Sequence, residues 1–515
     1  MLTRRGLLAG AGVLAGAGAL GVIGRAERAR AAGATMPLPV PALMDARLSG
    51  GVLSLVAAAG RHRFAPDLPA VATYGYSAPC LGPVLRLRRG DAVKVSVENR
   101  LDVPTTAHWH GLLVPAEVDG GPHHPISPGA TWRPRLEVDQ AEATCWYHAH
   151  PHGDTGRQVY MGLAGMMIIE DGTGAELGLP QSYGVDDLPL ILQDRLFSRK
   201  GELEFRNFAR ERILGTRGDT LVVNGAISPT ARVPAARVRL RLLNGANARN
   251  FHLGFDDGRA FNVIASDGGY LPAPVPMQAL TISPGERFEI VVDFSDGRDA
   301  VLATTGDPVT GEAGSNGLGV LTGRGPTGTP TNGPGALVTF RVDPSLAAPP
   351  SRLPDRLVPI AAPDASRAVE RRTVTLDMWP GQGGRVGAAG GGSIGLPRAP
   401  RVPGSGPAMG MNGQFHDMHR IDFAPKLGSS EIWEVFPVLM PHPFHVHGVF
   451  FRVLSIGGAP PPDHLAAEKD TVLLGQPAEL LLRFNQHATE AHPFMVHCHI
   501  LDHEDGGLMG QYMTT

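Results

Sequence analysis

Four segments of this 515-residue chain carry two histidines one residue apart: His108-Trp109-His110, His148-Ala149-His150, His445-Val446-His447 and His497-Cys498-His499. This spacing constrains the fold more than any other feature. On an extended strand, side chains at i and i+2 leave one face and the residue between them leaves the other. Each pair therefore aims two imidazoles at one point. A single such pair would read as ordinary surface or core histidines. Four pairs, one wrapped around a cysteine, supply eight imidazoles, enough for a cluster of three metal ions.

Period-two alternation appears elsewhere in the chain. Leu85 and Leu87 alternate with Arg86 and Arg88, Gly90-Asp91 turns, and Val93, Val95 and Val97 alternate on the return. Val238, Leu240 and Leu242 alternate with arginines before Asn244-Gly245, and Ile432, Trp433 and Val435 form a similar short run. Such alternation, punctuated by Gly, Asn and Asp, predicts half-buried strands in an all-β protein. The length exceeds what one core supports, so three domains are expected. Trp146-Tyr147-His148-Ala149-His150, followed by Gly162 to Gly165, is echoed by Val496-His497-Cys498-His499, followed by Gly506-Gly507-Leu508. The first and last units thus read as versions of one domain. The middle unit has no His-x-His and reads as a spacer. Turn-rich Gly172 to Gly184 and a Gly/Pro/Ser-dense segment over 322–370 set the boundaries: units at 33–180, 181–345 and 371–515, with a linker at 346–370. Gly381 to Gly395 is a further Gly-rich stretch, with no secondary structure predicted.

A net charge of −3 lacks the basic excess that a nucleic-acid binder needs, so no nucleic-acid partner is expected. Three cysteines, Cys80, Cys145 and Cys498, make no disulfide framework, and Cys80 and Cys145 are expected as free buried thiols. Residues 1–32 read as a targeting segment. Arg4-Arg5 precedes an Ala/Gly-rich apolar stretch from Leu7 to Ile23, and Ala29-Arg30-Ala31 offers a small-x-small cleavage site. The pattern is that of a twin-arginine (Tat) signal. It predicts export through the Tat translocon to the periplasm or the outside. An uncleaved membrane anchor is the alternative, disfavoured by the low hydrophobicity of the stretch.

His442 stands three positions before His445, so on a strand it leaves by the opposite face, the face of Cys498. His503 follows Cys498 by five residues, beyond the strand. Cys498, His442 and His503 make a His2Cys set, the ligand type of a blue-copper electron-transfer site. The bond path from Cys498 to His497 and His499 joins that site to the imidazole cluster. The expected division of labour is one copper collecting electrons and three holding dioxygen. Reduction of dioxygen to water consumes protons, so acids near the cluster are expected.

These residues resemble the multicopper oxidases, and His108 to Asp171 is similar to the bacterial copper-efflux oxidases in particular. The similar runs are His108-Trp109-His110-Gly111, Glu117-Val118-Asp119-Gly120-Gly121, Thr144-Cys145-Trp146-Tyr147-His148 and Gly156-Arg157-Gln158-Val159. The likeness spans essentially the whole mature chain. It implies three cupredoxin-like β-sandwich domains of Greek-key type, with the three-copper cluster between the first and third. It implies four copper ions: a type-1 ion at His442, Cys498 and His503, a type-2 ion at His108 and His445, and a type-3 pair at His110, His148, His150, His447, His497 and His499. The family's axial type-1 position falls on Leu508, which cannot ligate, so the potential is expected to be raised. Met509, one residue on, is the alternative axial ligand. The resemblance points to Asp119 and Glu504 as proton-delivering acids; in isolation each would read as a solvated or capping carboxylate.

Substrate is where the resemblance departs. Copper-efflux oxidases carry a Met-rich insert and an acid–Met site for Cu(I); here the insert's place is taken by Gly381 to Gly395, and the acid's by Val438. Met440 remains, and Met409, Met411, Met418, His416 and His419 lie nearby in sequence, either a reduced soft-metal patch or core and loop residues. The leading expectation is a laccase-like oxidase, a monomer taking electrons from phenols or aromatic amines and giving them to dioxygen. A cuprous oxidase acting on Cu(I) is the second reading. A copper-free exported relative is the third, disfavoured because every ligand is present.

Overall fold

The computed structural model describes residues 36–206, 209–305, 334–378 and 409–515. The targeting segment and the Gly381–Gly395 stretch lie outside the described residues. Six sheets fall into three pairs along the chain. In the first pair, Leu43–Asp45, Val84–Arg88, Ala164–Glu170 and Ala143–His148 lie side by side, facing a sheet ordered Val71–Tyr76, Val52–His62, Ala92–Asn99, Thr131–Trp132. Leu85 and Leu87 from one sheet and Val93, Val95 and Val97 from the other enter one apolar core. Each such side chain stabilises by about 1.5–3 kcal/mol on burial. The turn between their strands needs the positive φ of Gly90, and Asp91 Oδ2 accepts the Arg88 amide at 2.8 Å.

The middle pair has seven and five strands and the last pair six and four, each pair around its own core. The architecture is three cupredoxin-type β-sandwiches. In the last unit, the strand Ala368–Met378 begins three residues before residue 371, inside the segment read as linker. Among the described residues, no helix is long and apolar enough to cross a membrane.

The alternation in the middle unit misleads in one respect. Arg239 and Arg241, read as the polar face of a half-buried strand, are buried. Arg241 Nε donates to Asp187 Oδ1 at 2.8 Å and its Nη1 to Thr144 Oγ1, in the first unit, at 3.0 Å. Arg239 pairs with Glu289 of its own unit and Glu142 of the first. The charged face of this strand is an interface between units, where each guanidinium is paired with buried carboxylates.

Candidate metal centre

The strands His442–Val446 and Phe494–Cys498 are antiparallel neighbours, with Phe444 opposite Cys498 and His445 opposite His497. Opposite residues share a face, so this register sorts the ligands. His442, two before Phe444, falls on the Cys498 side, and His445 falls on the His497 side. On the first side, Cys498 Sγ lies 3.3 Å from His442 Nδ1 and 3.5 Å from His503 Nδ1. The outer nitrogens are tied back: His442 Nε2 donates to the Val438 carbonyl at 3.2 Å and His503 Nε2 to the Ile213 carbonyl at 2.9 Å. Both Nδ1 lone pairs therefore face the sulfur. Burial pushes the Cys498 thiol well above its usual range and holds the His442 imidazole down at about 4. Only a bound cation would keep the thiolate in such a site. Leu508 shares the apolar cluster of Cys498, and its carbonyl accepts the Cys498 amide at 3.1 Å. Met509 pairs across from His497, on the other face.

On that other face, the eight histidines of the four pairs close on one buried chamber. His108 and His148 exchange backbone hydrogen bonds at 2.9 and 3.1 Å, which sets the first-unit pairs against each other. His108 stacks on His447 and His110 on His445, each at 3.8 Å between ring centroids, which joins the first unit to the third. Donor atoms of His108, His445 and His447 lie within 4.8 Å of one another, as do those of His108, His110 and His148 and of His150, His447 and His497. His499 joins none of these triples, but its ring is 5.1 Å from that of His110. The chamber is built for cations. His108 Nε2, His110 Nδ1, His148 Nε2, His445 Nε2 and both nitrogens of His499 are buried with no hydrogen-bond partner. Buried unpaired nitrogens cost about 1–3 kcal/mol each, a cost that metal ligation removes. Burial, reinforced by neighbouring imidazoles, holds His110, His148 and His445 well below their ordinary basicity, so they stay neutral donors.

Three family models described as multicopper oxidase match this chain, over residues 62–174, 193–322 and 397–515. The chain belongs to the multicopper oxidase family. Multicopper oxidase mco of Staphylococcus haemolyticus is 34% identical over 450 residues, 86% of this chain and 84% of that one. Cell division protein FtsP of Escherichia coli is 35% identical over 492 residues, 94% of each chain. A solved structure of CueO, a laccase-like multicopper oxidase from the lignin-degrading bacterium Ochrobactrum sp., is 42% identical with a TM-score of 0.80, covering 93% of this chain and 100% of that one. The family binds copper, and the unpaired imidazoles and the His2Cys pocket fit it.

Both acids singled out in this multicopper oxidase touch the chamber. Asp119 Oδ2 accepts from His447 Nδ1 at 2.8 Å and lies 3.2 Å from His108 Nδ1. Glu504 Oε1 lies 3.2 Å from His150 Nδ1 and Oε2 3.4 Å from His497 Nδ1, out of hydrogen-bond alignment. Burial, with the charge of Asp505, holds the Glu504 carboxyl well above the usual carboxylate range.

The reading of the middle unit as a spacer is corrected by what it places at the site. Ile213 anchors His503. Gly285 lies so close to the His499 ring that a Cβ there would come within 2.8 Å of it. Arg287 donates from Nη1 and Nη2 to the two oxygens of Asp470 at 2.7 and 2.6 Å. Asp470 Oδ1 in turn accepts from His110 Nε2 at 3.0 Å, leaving Nδ1 for the chamber, and its carbonyl accepts from His445 Nδ1 at 2.8 Å. Lys469 sits 3.0 Å from Asp267 Oδ2 of the middle unit. Sequence reasoning missed Asp470 and Arg287, because their motif-free positions gain meaning only when three units meet. Cys80 and Cys145 are free thiols; Cys145 is buried, which pushes it up to about 12, whereas Cys80 is half-buried rather than buried as expected.

Proposed function

We propose that this chain is an exported, laccase-like multicopper oxidase that couples four one-electron oxidations of phenols or aromatic amines to the reduction of dioxygen to two waters. Copper would supply the one-electron and dioxygen chemistry: His442, Cys498 and His503 would hold a type-1 ion, His108 and His445 a type-2 ion, and the remaining six chamber histidines a type-3 pair. Cys498 is peptide-bonded to His497 and His499, which gives a covalent path from the electron-collecting pocket to the chamber. Asp119 and Glu504 are placed to pass protons to it. Glu504, whose carboxyl burial holds well above the usual carboxylate range, is the stronger candidate for a donor. Leu508 packs in the apolar cluster of Cys498 and has no donor atom to offer a copper held there, which supports a raised potential.

The observation that carries the organic donor is the rim of His442. Its Nε2 is held by the Val438 carbonyl, and the next residue, Leu439, is 55% exposed. An apolar side chain in water beside the ligand through which electrons enter suits an aromatic donor. Met440 is buried. The similar Ochrobactrum protein is described as active towards lignin model compounds and lignosulfonate. The second reading, a cuprous oxidase, rests on Met440, retained two residues before His442. The relatives named cell division protein FtsP keep a non-enzymatic role as the third reading, against which the complete set of ligands stands.

Oxygen uptake by copper-loaded protein, with a phenol, an aromatic amine, bilirubin and Cu(I) side by side, tests the proposal. Organic donors should drive uptake without added copper. Saturation at low Cu(I), with organic donors active only when excess copper is supplied, would replace this reading by the cuprous oxidase. A protein that takes up no copper would establish the copper-free role. For export, replacing Arg4-Arg5 by two lysines should leave the precursor inside the cell.

A further inference from the structure

Metal-binding side chains also gather outside both pockets. His416 Nε2 lies 3.3 Å from Met418 Sδ, and the His416 ring is 5.5 Å from that of His152. Distant segments build this group. His152 follows the chamber residue His150 by two positions, ahead of the helix Thr155–Met161. His416 and Met418 follow the strand Gln414–Phe415. Their loop is fixed from behind by Gln511, whose Nε2 donates to the carbonyls of Met418 and Arg420 at 3.1 and 2.8 Å. His152 is exposed and His416 and Met418 are half-buried, so an ion can reach them from solvent.

We propose that His416, Met418 and His152 form a surface site for one Cu(I) ion, separate from the two copper pockets. A thioether with two imidazoles is a soft-to-borderline donor set, which selects Cu(I) over hard cations. Metal–nitrogen and metal–sulfur bonds of about 2.0 and 2.3 Å at a tetrahedral angle separate the donors by roughly 3.5 Å. The 3.3 Å between His416 Nε2 and Met418 Sδ is close to that spacing. As a hydrogen-bond acceptor a thioether is weak, so an N–H···S contact alone gives little reason for the pair. Burial, with neighbouring His152 and Arg420, holds His416 down at about 4, so its lone pair is free throughout the neutral range. The Arg420 guanidinium is engaged with Asp422 at 2.7 Å.

The position suggests what the site is for. A Cβ on Gly507 would stand 3.7 Å from His416 Cβ. Gly507 follows the helix Leu501–Asp505, which carries His503 of one pocket and Glu504 at the chamber wall. An ion captured here waits beside the element that serves both pockets, a place suited to copper delivery. Neither the donor of the oxidase reaction nor the buried Met440 enters the argument.

Ag(I), a redox-silent counterpart of Cu(I), provides the test. Copper-loaded, oxidised protein is titrated with Ag(I) against a competing chelator, and silver and copper per chain are counted by mass spectrometry. Wild-type protein should retain one silver ion. Met418→Leu and His416→Gln should weaken that binding at least about tenfold, the lower end of what losing even an outer-sphere partner costs a metal site. Both variants should keep their copper and their turnover of phenols, and Met440→Leu should bind silver as the wild type does. No retained silver in the wild type, equal retention in both site variants, or loss only in Met440→Leu would each overturn the proposal.

Discussion

Cys498 Sγ and His442 Nδ1 stand 3.3 Å apart although 56 residues separate them in the chain, because Phe444 and Cys498 are cross-strand partners. That contact defines the pocket proposed to collect electrons. Cys498→Ser should abolish the blue colour of the copper-loaded protein and reduce oxygen uptake to background, while chamber copper stays bound. Visible absorption with metal analysis checks this; a serine variant that stays blue would sink the assignment.

Asp470 orients His110 and is itself held by Arg287. Asp470→Asn should lower chamber copper affinity by about 10–100-fold, as losses of outer-sphere partners do. Arg287→Ala leaves Asp470 buried without its cation, while Asp267 keeps Lys469, and should cost about 3–5 kcal/mol of stability. Copper titration reads the first and denaturant unfolding the second. Unchanged copper affinity in Asp470→Asn would show that His110 is fixed by packing alone.

Nine of the ten site histidines are held below their ordinary basicity, with burial the largest cause in each. A folded pKa below the unfolded value means that the unfolded chain takes up protons the fold refuses. The copper-free protein should therefore lose stability as pH falls from about 6.5. For His442, held at about 4, the loss is on the order of 3 kcal/mol by the time it titrates. Asp505, pushed up to about 8 by burial, acts in the opposite sense, adding stability as pH falls through that value. The histidines outnumber the acids of the site, so unfolding midpoints of copper-free protein should drop between pH 6.5 and 5, a range set by the unperturbed imidazole. A flat profile there would contradict the burial argument.

Asp119→Asn and Glu504→Gln should slow oxygen uptake and shift its pH dependence without removing copper. Equal rates across pH in both variants would mean that protons arrive by another route.

Leu508→Met should lower the potential of the blue copper, since a thioether beside Cys498 favours Cu(II). Met509→Leu should change it little, because Met509 lies opposite His497. Redox titration decides. A strong upward shift in Met509→Leu would make Met509 the axial ligand.

The strands, the two-faced geometry and the convergence of the eleven candidate metal-binding side chains were legible in the sequence, because strand parity is a local property. A residue at i+2 returns to the same face whatever surrounds it, so His108 and His110, or His497 and His499, declare their common direction. The separation of His442 from His445 follows from the same rule. What only the tertiary structure decided is what stands behind those ligands. Arg239 and Arg241 alternate as a solvated face would, and are buried, because burial depends on which unit packs against the strand. Asp470, Arg287 and Ile213 carry no local signature and act only where three units meet. More than 250 residues separate His152 from His416 and Met418, and their convergence rests on long-range packing that no local period records.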